Sequence, residues 1–328
     1  MITKTVFITG AAGNLGGLLA EYLKSTVLDV NKTESGLKLN LLIHNKDINE
    51  NLKNHDKIKI FKADLSKKET LDAPFENVDV IVHFAGVLFK SNPEKFLPVT
   101  NTQYFKNLVD KAIEHKVKRI ILISFPHVEG ETFPDNPSTN KLDGKPSSFH
   151  ALTRLEEEKI LFKMGEESGF EAVSLRVGMV YGKGILMIDA ALWFAKYYLL
   201  GIWKKPTHIH LISKIDFLES TKSAIIKDGI KGIYNIGDEG KQTLQEFFDD
   251  ITQYRGYKKP WRMPVGLIMF AAGVFEFFSK ISGTRSPLTR DFVRIGMASY
   301  YGDTSMMRKE LLPELTYKTY KEGIKTFL

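Results

Sequence analysis

The sequence predicts an α/β fold, a doubly wound parallel sheet with a small, mostly helical C-terminal lid. Three observations carry this. A strand-like run, Val6, Phe7 and Ile8, breaks into a glycine-rich turn, and a helical pattern follows at Leu15, Leu18, Leu19, Tyr22 and Leu23. Short apolar runs then recur at 37–44, 58–61, 78–86 and 118–124. The segment between the last two reads as a helix, and such alternation specifies parallel strands joined by crossovers. At 328 residues the chain is long enough to bury a large core.

The first turn reads Thr9-Gly10-Ala11-Ala12-Gly13-Asn14-Leu15-Gly16. Strand, glycine turn and helix in this order form the context of a dinucleotide site. Gly10 permits the tight turn, Gly13 lets backbone approach a pyrophosphate, and Gly16 lets helix pack on strand. The helix start offers N–H groups and partial positive charge to phosphate. Residues 27–36 read as a loop. The second strand, 37–44, ends in His44-Asn45-Lys46, with Asp47 one step late. A carboxylate would repel a 2′-phosphate whereas His44 and Lys46 would attract it, so NADP is favoured over NAD. The plainer reading makes Lys46 a solvated turn lysine. The third strand leads into Asp64-Leu65, where Asp64 also suits a helix N-cap. The fourth, 78–86, reads as fully buried and closes on His83-Phe84-Ala85-Gly86, small enough at its end for close approach.

With Thr9 ahead of it, the Gly-x-x-Gly-x-x-Gly spacing resembles the TGxxGxxG motif of the extended short-chain dehydrogenase/reductase superfamily. That group includes NAD(P)-dependent epimerases, dehydratases and 3β-hydroxysteroid dehydrogenases. Further likeness lies at His83 to Gly86, at Asn101 and Asn107-Leu108, and at Leu175-Arg176, Gly178 and Val180-Tyr181-Gly182. It ends in a tail with Asp303, Ser305, Leu311, Pro313, Tyr317 and Gly323. The resemblance implies a Rossmann domain over 1–177, with 205–236 returning to it, and a substrate-binding lid from 178–204 and 237–328. It implies cofactor contacts from Thr9, Gly10, Gly13, Asn14, Leu15 and Gly16 at the phosphates. His44, Asn45, Lys46, Asp64 and Leu65 would serve the adenosine half. Phe84, Ala85, Gly86, Asn101 and Arg154 would serve the nicotinamide half.

Members of that superfamily carry a Tyr and a Lys four apart on one helix face. The matching segment, FHALTRLEEE at 149–158, has His150 at the tyrosine and Arg154 at the lysine, with Thr153 and Glu158 in register. Phe125 falls where a catalytic Ser or Thr is usual, leaving Ser124 and His127 as the nearest polar groups. Arginine keeps the charge and can fork onto a ribose diol. A neutral imidazole is a better base than acid, which favours dehydrogenation or isomerisation over carbonyl reduction. Two alternatives stay open: a rearranged site using His127 or Tyr181, and a non-catalytic NAD(P)-binding sensor or assembly protein. Met179 stands where sugar-nucleotide members often carry asparagine. Met179 and Tyr181 are the substrate-side candidates, and the substrate is expected to be small and hydrophobic.

Net charge is +7, with lysines scattered among acids, so no nucleic-acid partner is expected. There is no cysteine for a disulfide or thiolate site. His208 and His210 read as sheet-surface residues, and no metal is expected. Two greasy stretches, 186–203 and 264–278, read as buried helices rather than membrane spans. A lid core, a lipophilic pocket or membrane contact, and an oligomer interface such as a homodimer all remain open for them. The expected location is cytoplasmic.

Overall fold

The computed structural model describes residues 3–29, 36–87, 92–284, 286 and 288–327. The strands are β1 (Lys4–Thr9), β2 (Leu37–Ile43), β3 (Ile58–Lys62), β4 (Val80–His83), β5 (Arg119–Ser124) and β6 (Glu171–Val177). They continue with β7 (Met179–Tyr181), β8 (Gly201–Trp203), β9 (Leu211–Ser213), β10 (Gly232–Ile236) and β11 (Trp261–Met263). Seven of them form one sheet in the order β10-β6-β5-β4-β1-β2-β3, every pair parallel. The order reverses between β1 and β4, and in such sheets ligands bind in the crevice beyond the strand ends at that reversal.

The helices are α1 (Asn14–Leu23), α2 (Glu50–Lys53), α3 (Asp72–Phe75), α4 (Pro93–Leu97), α5 (Tyr104–Glu114) and α6 (Phe149–Ser168). After these come α7 (Leu186–Lys196), α8 (Lys214–Ile226), α9 (Leu244–Tyr254), α10 (Val265–Ser282), α11 (Arg290–Met297) and α12 (Tyr320–Gly323). Strand alternation sorts β1 between two cores: Val6 and Ile8 pack with Leu19 and Phe217, Phe7 with Phe75 and Phe105. Gly16 must lack a side chain, since a Cβ there would lie 2.5 Å from the Gly10 carbonyl oxygen. Gly10 itself has φ +69° and abuts Phe84 and Ala85. Arg119, buried in β5, donates from Nη1 to the Ala224 and Lys227 carbonyls at 2.7 Å, closing the C-terminal end of α8.

Several expectations need correction. The first helix does not give way to a loop at 27: a π-helical turn, Lys24–Leu28, continues it and buries Val27 and Leu28. Strand β4 is shorter than its apolar run. His210 is buried, not on a sheet surface. Its Nε2 donates to the Asp238 carbonyl at 2.7 Å, its Nδ1 accepts from Gly302 N–H at 3.1 Å, and its ring stacks on Tyr301. The helix at 264–278 runs on to Ser282 and buries only Ile268, Ala272, Glu276 and Ser279. By length and composition α10 is apolar enough to cross a membrane.

Candidate active site

The site is built where β1, β4 and β5 end and α6 begins. At its base, Gly13 N–H donates to the Gly10 carbonyl at 2.8 Å, and Gly13 precedes α1 without a capping side chain. Thr9 is fully buried. Its hydroxyl reaches His83 Nδ1 at 2.9 Å and accepts from Ala85 N–H at 3.3 Å, so it shapes the β4 turn rather than facing a ligand. His83 is held neutral, its pKa pushed down to about 3 by burial and then by the Arg154 charge. Asn14 gives its side chain to the Gly184 carbonyl and the Leu186 N–H, pinning the loop before α7 over the turn. Leu15 packs against the core beneath it.

Helix α6 starts at an N-cap, Ser148, which accepts from Ala151 N–H. One turn apart on it, His150 and Arg154 reach consecutive residues after β4. His150 Nε2 lies 3.1 Å from the Val87 carbonyl. The Arg154 guanidinium stands over Gly86, where a Cβ would come within 3.2 Å of Nη2. Arg154 Nη1 also pairs with Glu157 at 2.7 Å. Burial pushes Glu157 up to about 7, against the pull of the Arg154 charge.

The other ring nitrogen of His150 meets a carboxylate. Nδ1 lies 2.5 Å from Asp291 Oδ2 on α11, both groups being buried. Both partners of the ring are oxygen acceptors. Asp291, 141 residues away in sequence, thereby orients the His150 ring.

Ser124 is buried, its hydroxyl without a hydrogen-bond partner among the described residues. The His127 ring packs tilted against Tyr300 at 4.2 Å between centroids, and burial holds it down at about 4. Asn101 sits in a π-helical turn, Pro98–Gln103, and donates to Thr153 Oγ1 at 3.2 Å. Tyr181 is core: fully buried, it stacks on Phe327 and donates to the Thr319 carbonyl at 3.4 Å. Met179 is partly buried against the same core. At the other end of the crevice His44, Asn45 and Lys46 are exposed. His44 Nε2 is 3.7 Å from Asp64, whose carboxylate also accepts from Ser66 N–H. Leu65 packs against the core beside it. The nearby carboxylate of Asp47 is engaged by Lys53 at 2.7 Å and by Ile48 N–H.

Asp291 and Glu157 escaped sequence reasoning. Glu157 stood at a legible i, i+3 distance from Arg154, whereas nothing in the sequence around Asp291 ties it to His150. The glycine cradle, the uncapped helix start and the guanidinium over Gly86 together fit a dinucleotide.

The model of the NAD dependent epimerase/dehydratase family matches residues 6–192. A UDP-glucose 4-epimerase of Vibrio cholerae is 28% identical over 189 residues, covering 56% of this chain and 53% of that protein. A uronate dehydrogenase of Pseudomonas syringae is 28% identical over 183 residues, covering 54% and 61%. The chain thus aligns with little more than half the length of these relatives. A Bacillus cereus UDP-glucuronic acid 4-epimerase, solved with UDP-glucuronic acid and NAD, superposes with TM-score 0.74 over 98% of this chain and 97% of that one. At 15% identity this shows the shared fold. With the family match spanning more than half of it, the chain belongs to the NAD dependent epimerase/dehydratase family, within the extended short-chain dehydrogenase/reductases.

Proposed function

We propose that this protein is an NAD(P)-dependent oxidoreductase or epimerase/dehydratase-type enzyme with a non-standard active site. It acts on a hydroxyl or carbonyl of a small, hydrophobic substrate. One observation carries the reading: His150 and Arg154, one helical turn apart, converge on Gly86 and Val87 beside the glycine turn. When bound, the nicotinamide cofactor supplies the hydride donor or acceptor. Arg154 holds the ribose diol, and the glycine turn with the α1 start holds the pyrophosphate. His150 is the acid/base, exchanging a proton at Nε2 with the substrate oxygen while Asp291 holds Nδ1. This is the orienting logic of a carboxylate behind a histidine.

Lys46 and His44 favour the 2′-phosphate of NADP, with the Asp47 carboxylate engaged by Lys53 and Ile48 N–H. Titration of the protein with NADPH and NADH, followed by nicotinamide fluorescence, tests the reading. The expected result is tighter binding of NADPH, with Lys46→Ala erasing about tenfold of that preference, the order of one charge-assisted hydrogen bond. Failure to bind either cofactor, reduced or oxidised, removes the enzyme reading.

A further inference from the structure

Helix α10 is inside out. Two of its four buried residues are polar, Glu276 and Ser279, while Phe270, Phe277, Phe278 and Ile281 project outward at 61–70% exposure. The apolar face continues beyond the helix. Strand β11 pairs with β8, and the indole N–H of Trp261, a residue 65% exposed, donates to the Tyr198 carbonyl beside exposed Leu199. The ends of α7 and α10 thus share one greasy surface.

The charge of the chain is concentrated in the segments that carry this face. Segments 186–205 and 255–294 hold eleven Lys or Arg against three Asp or Glu, a net +8. The whole chain carries +7, so all its other residues together come to −1. One of the three acids, Glu276, faces inward, and Asp249 just upstream is taken by Arg262 at 2.8 Å. Lys258 caps the Tyr198 ring at 4.8 Å, and Lys280 and Arg294 are exposed.

We propose that this face docks in the plane of a bilayer surface bearing anionic lipid. An apolar face bordered by basic side chains, with Trp and Tyr at the boundary, is what such an interface selects. A spanning orientation does not fit. Eighteen helical residues extend about 27 Å, yet both ends of α10 are tied to the same body. Its start follows the β11–β8 pair, and near its end Glu276 accepts from Arg290 N–H and Nε at 2.8 Å each. A second copy of the chain is disfavoured on charge. A two-fold contact sets each patch against itself, and the basic border would face its own like. An anionic surface neutralises it instead.

The same region reaches the candidate active site through adjacent residues, Arg290 on α10's Glu276 and Asp291 on His150. The docking proposal does not depend on dinucleotide binding, so the two can fail separately. The test is flotation of the 328-residue protein with vesicles of phosphatidylcholine, alone and mixed with phosphatidylglycerol, alongside tryptophan emission. Trp193 and Trp261 are exposed on this face and Trp203 is buried, so insertion reads as a blue shift. Binding to anionic vesicles should exceed that to neutral ones by about tenfold or more and weaken with salt. Phe277→Glu with Phe278→Glu should abolish it while leaving circular dichroism and NADPH titration unchanged. Absence of flotation with either vesicle overturns the proposal. So does a dimer, seen by light scattering, that this double variant dissociates, because the face then belongs to a second copy.

Discussion

At the scale of single residues, the proposed chemistry turns on the contact between His150 and Asp291. A buried carboxylate on Nδ1 fixes the orientation of the ring. Asp291→Asn is therefore expected to lower kcat/KM by roughly 10²–10⁴-fold, the range of acid–base catalysis, and to leave NADPH binding intact. Because Asp291 acts through His150, Asp291→Asn in a His150→Ala background should cost little more than His150→Ala alone. Full additivity in steady-state kinetics would separate the two residues and sink the dyad. The sequence exposed His150 and Arg154 through a helical spacing, and spacing is a local property. It could not expose Asp291, whose relation to His150 exists only after α11 has packed against α6.

At the scale of elements, buried charge fixes how α6 meets the sheet. Arg176 on β6 is fully buried, with its Nε and Nη2 on Glu158 of α6 at 2.6–3.2 Å and its Nη1 on Glu129. Glu158 also accepts from Ser174, and Glu129 accepts from the 138–141 segment. This network holds the helix bearing His150 and the loop after β5 in one register. Arg176→Met would leave two carboxylates buried without their cation and should destabilise the fold by about 3–5 kcal/mol. Urea unfolding checks this: a loss below about 1 kcal/mol would mean the carboxylates escape to water. Leu175-Arg176 and Glu158 were visible as motif positions, but that they meet was not. Helix α10 shows the opposite shortfall. Its composition located a helix correctly, and the rule that apolar residues are buried then misassigned its surroundings. Hydropathy measures a preference for leaving water and does not name what receives the side chain.

At the scale of the whole molecule, buried titratable groups set a pH optimum for stability. His83 is held at about 3 and His127 and His210 at about 4, all by burial. Unfolded, each would bind a proton below about 6.5, so each contributes stability above that pH and loses it as pH falls. Glu157, raised to about 7, and Asp238, raised to about 8 by burial, act with the opposite sign. They hold protons in the fold that they would release when unfolded, so their contribution is lost as pH rises toward 7 and 8. Between about pH 4.5 and 6.5 three histidines outweigh two carboxyls, and above that only the carboxyls act. Stability should therefore peak near pH 6.5 and fall on both sides. Each group changes it by at most about 1.4 kcal/mol per pH unit. Urea midpoints from pH 5 to 8 test this, and a midpoint still rising from pH 6.5 to 8 would contradict it.

The sequence by itself determined the parallel sheet, the glycine turn and the helix that carries His150 and Arg154. Those features are written in alternation, in glycine spacing and in the helical repeat, all of which act between near neighbours. Tertiary structure alone decided that Tyr181 is core, that His150 meets Asp291, and that α10 turns its phenylalanines outward. Each of these depends on which distant surfaces come into contact, and burial, not residue type, then sets whether a ring is packing, a proton carrier or an exposed face.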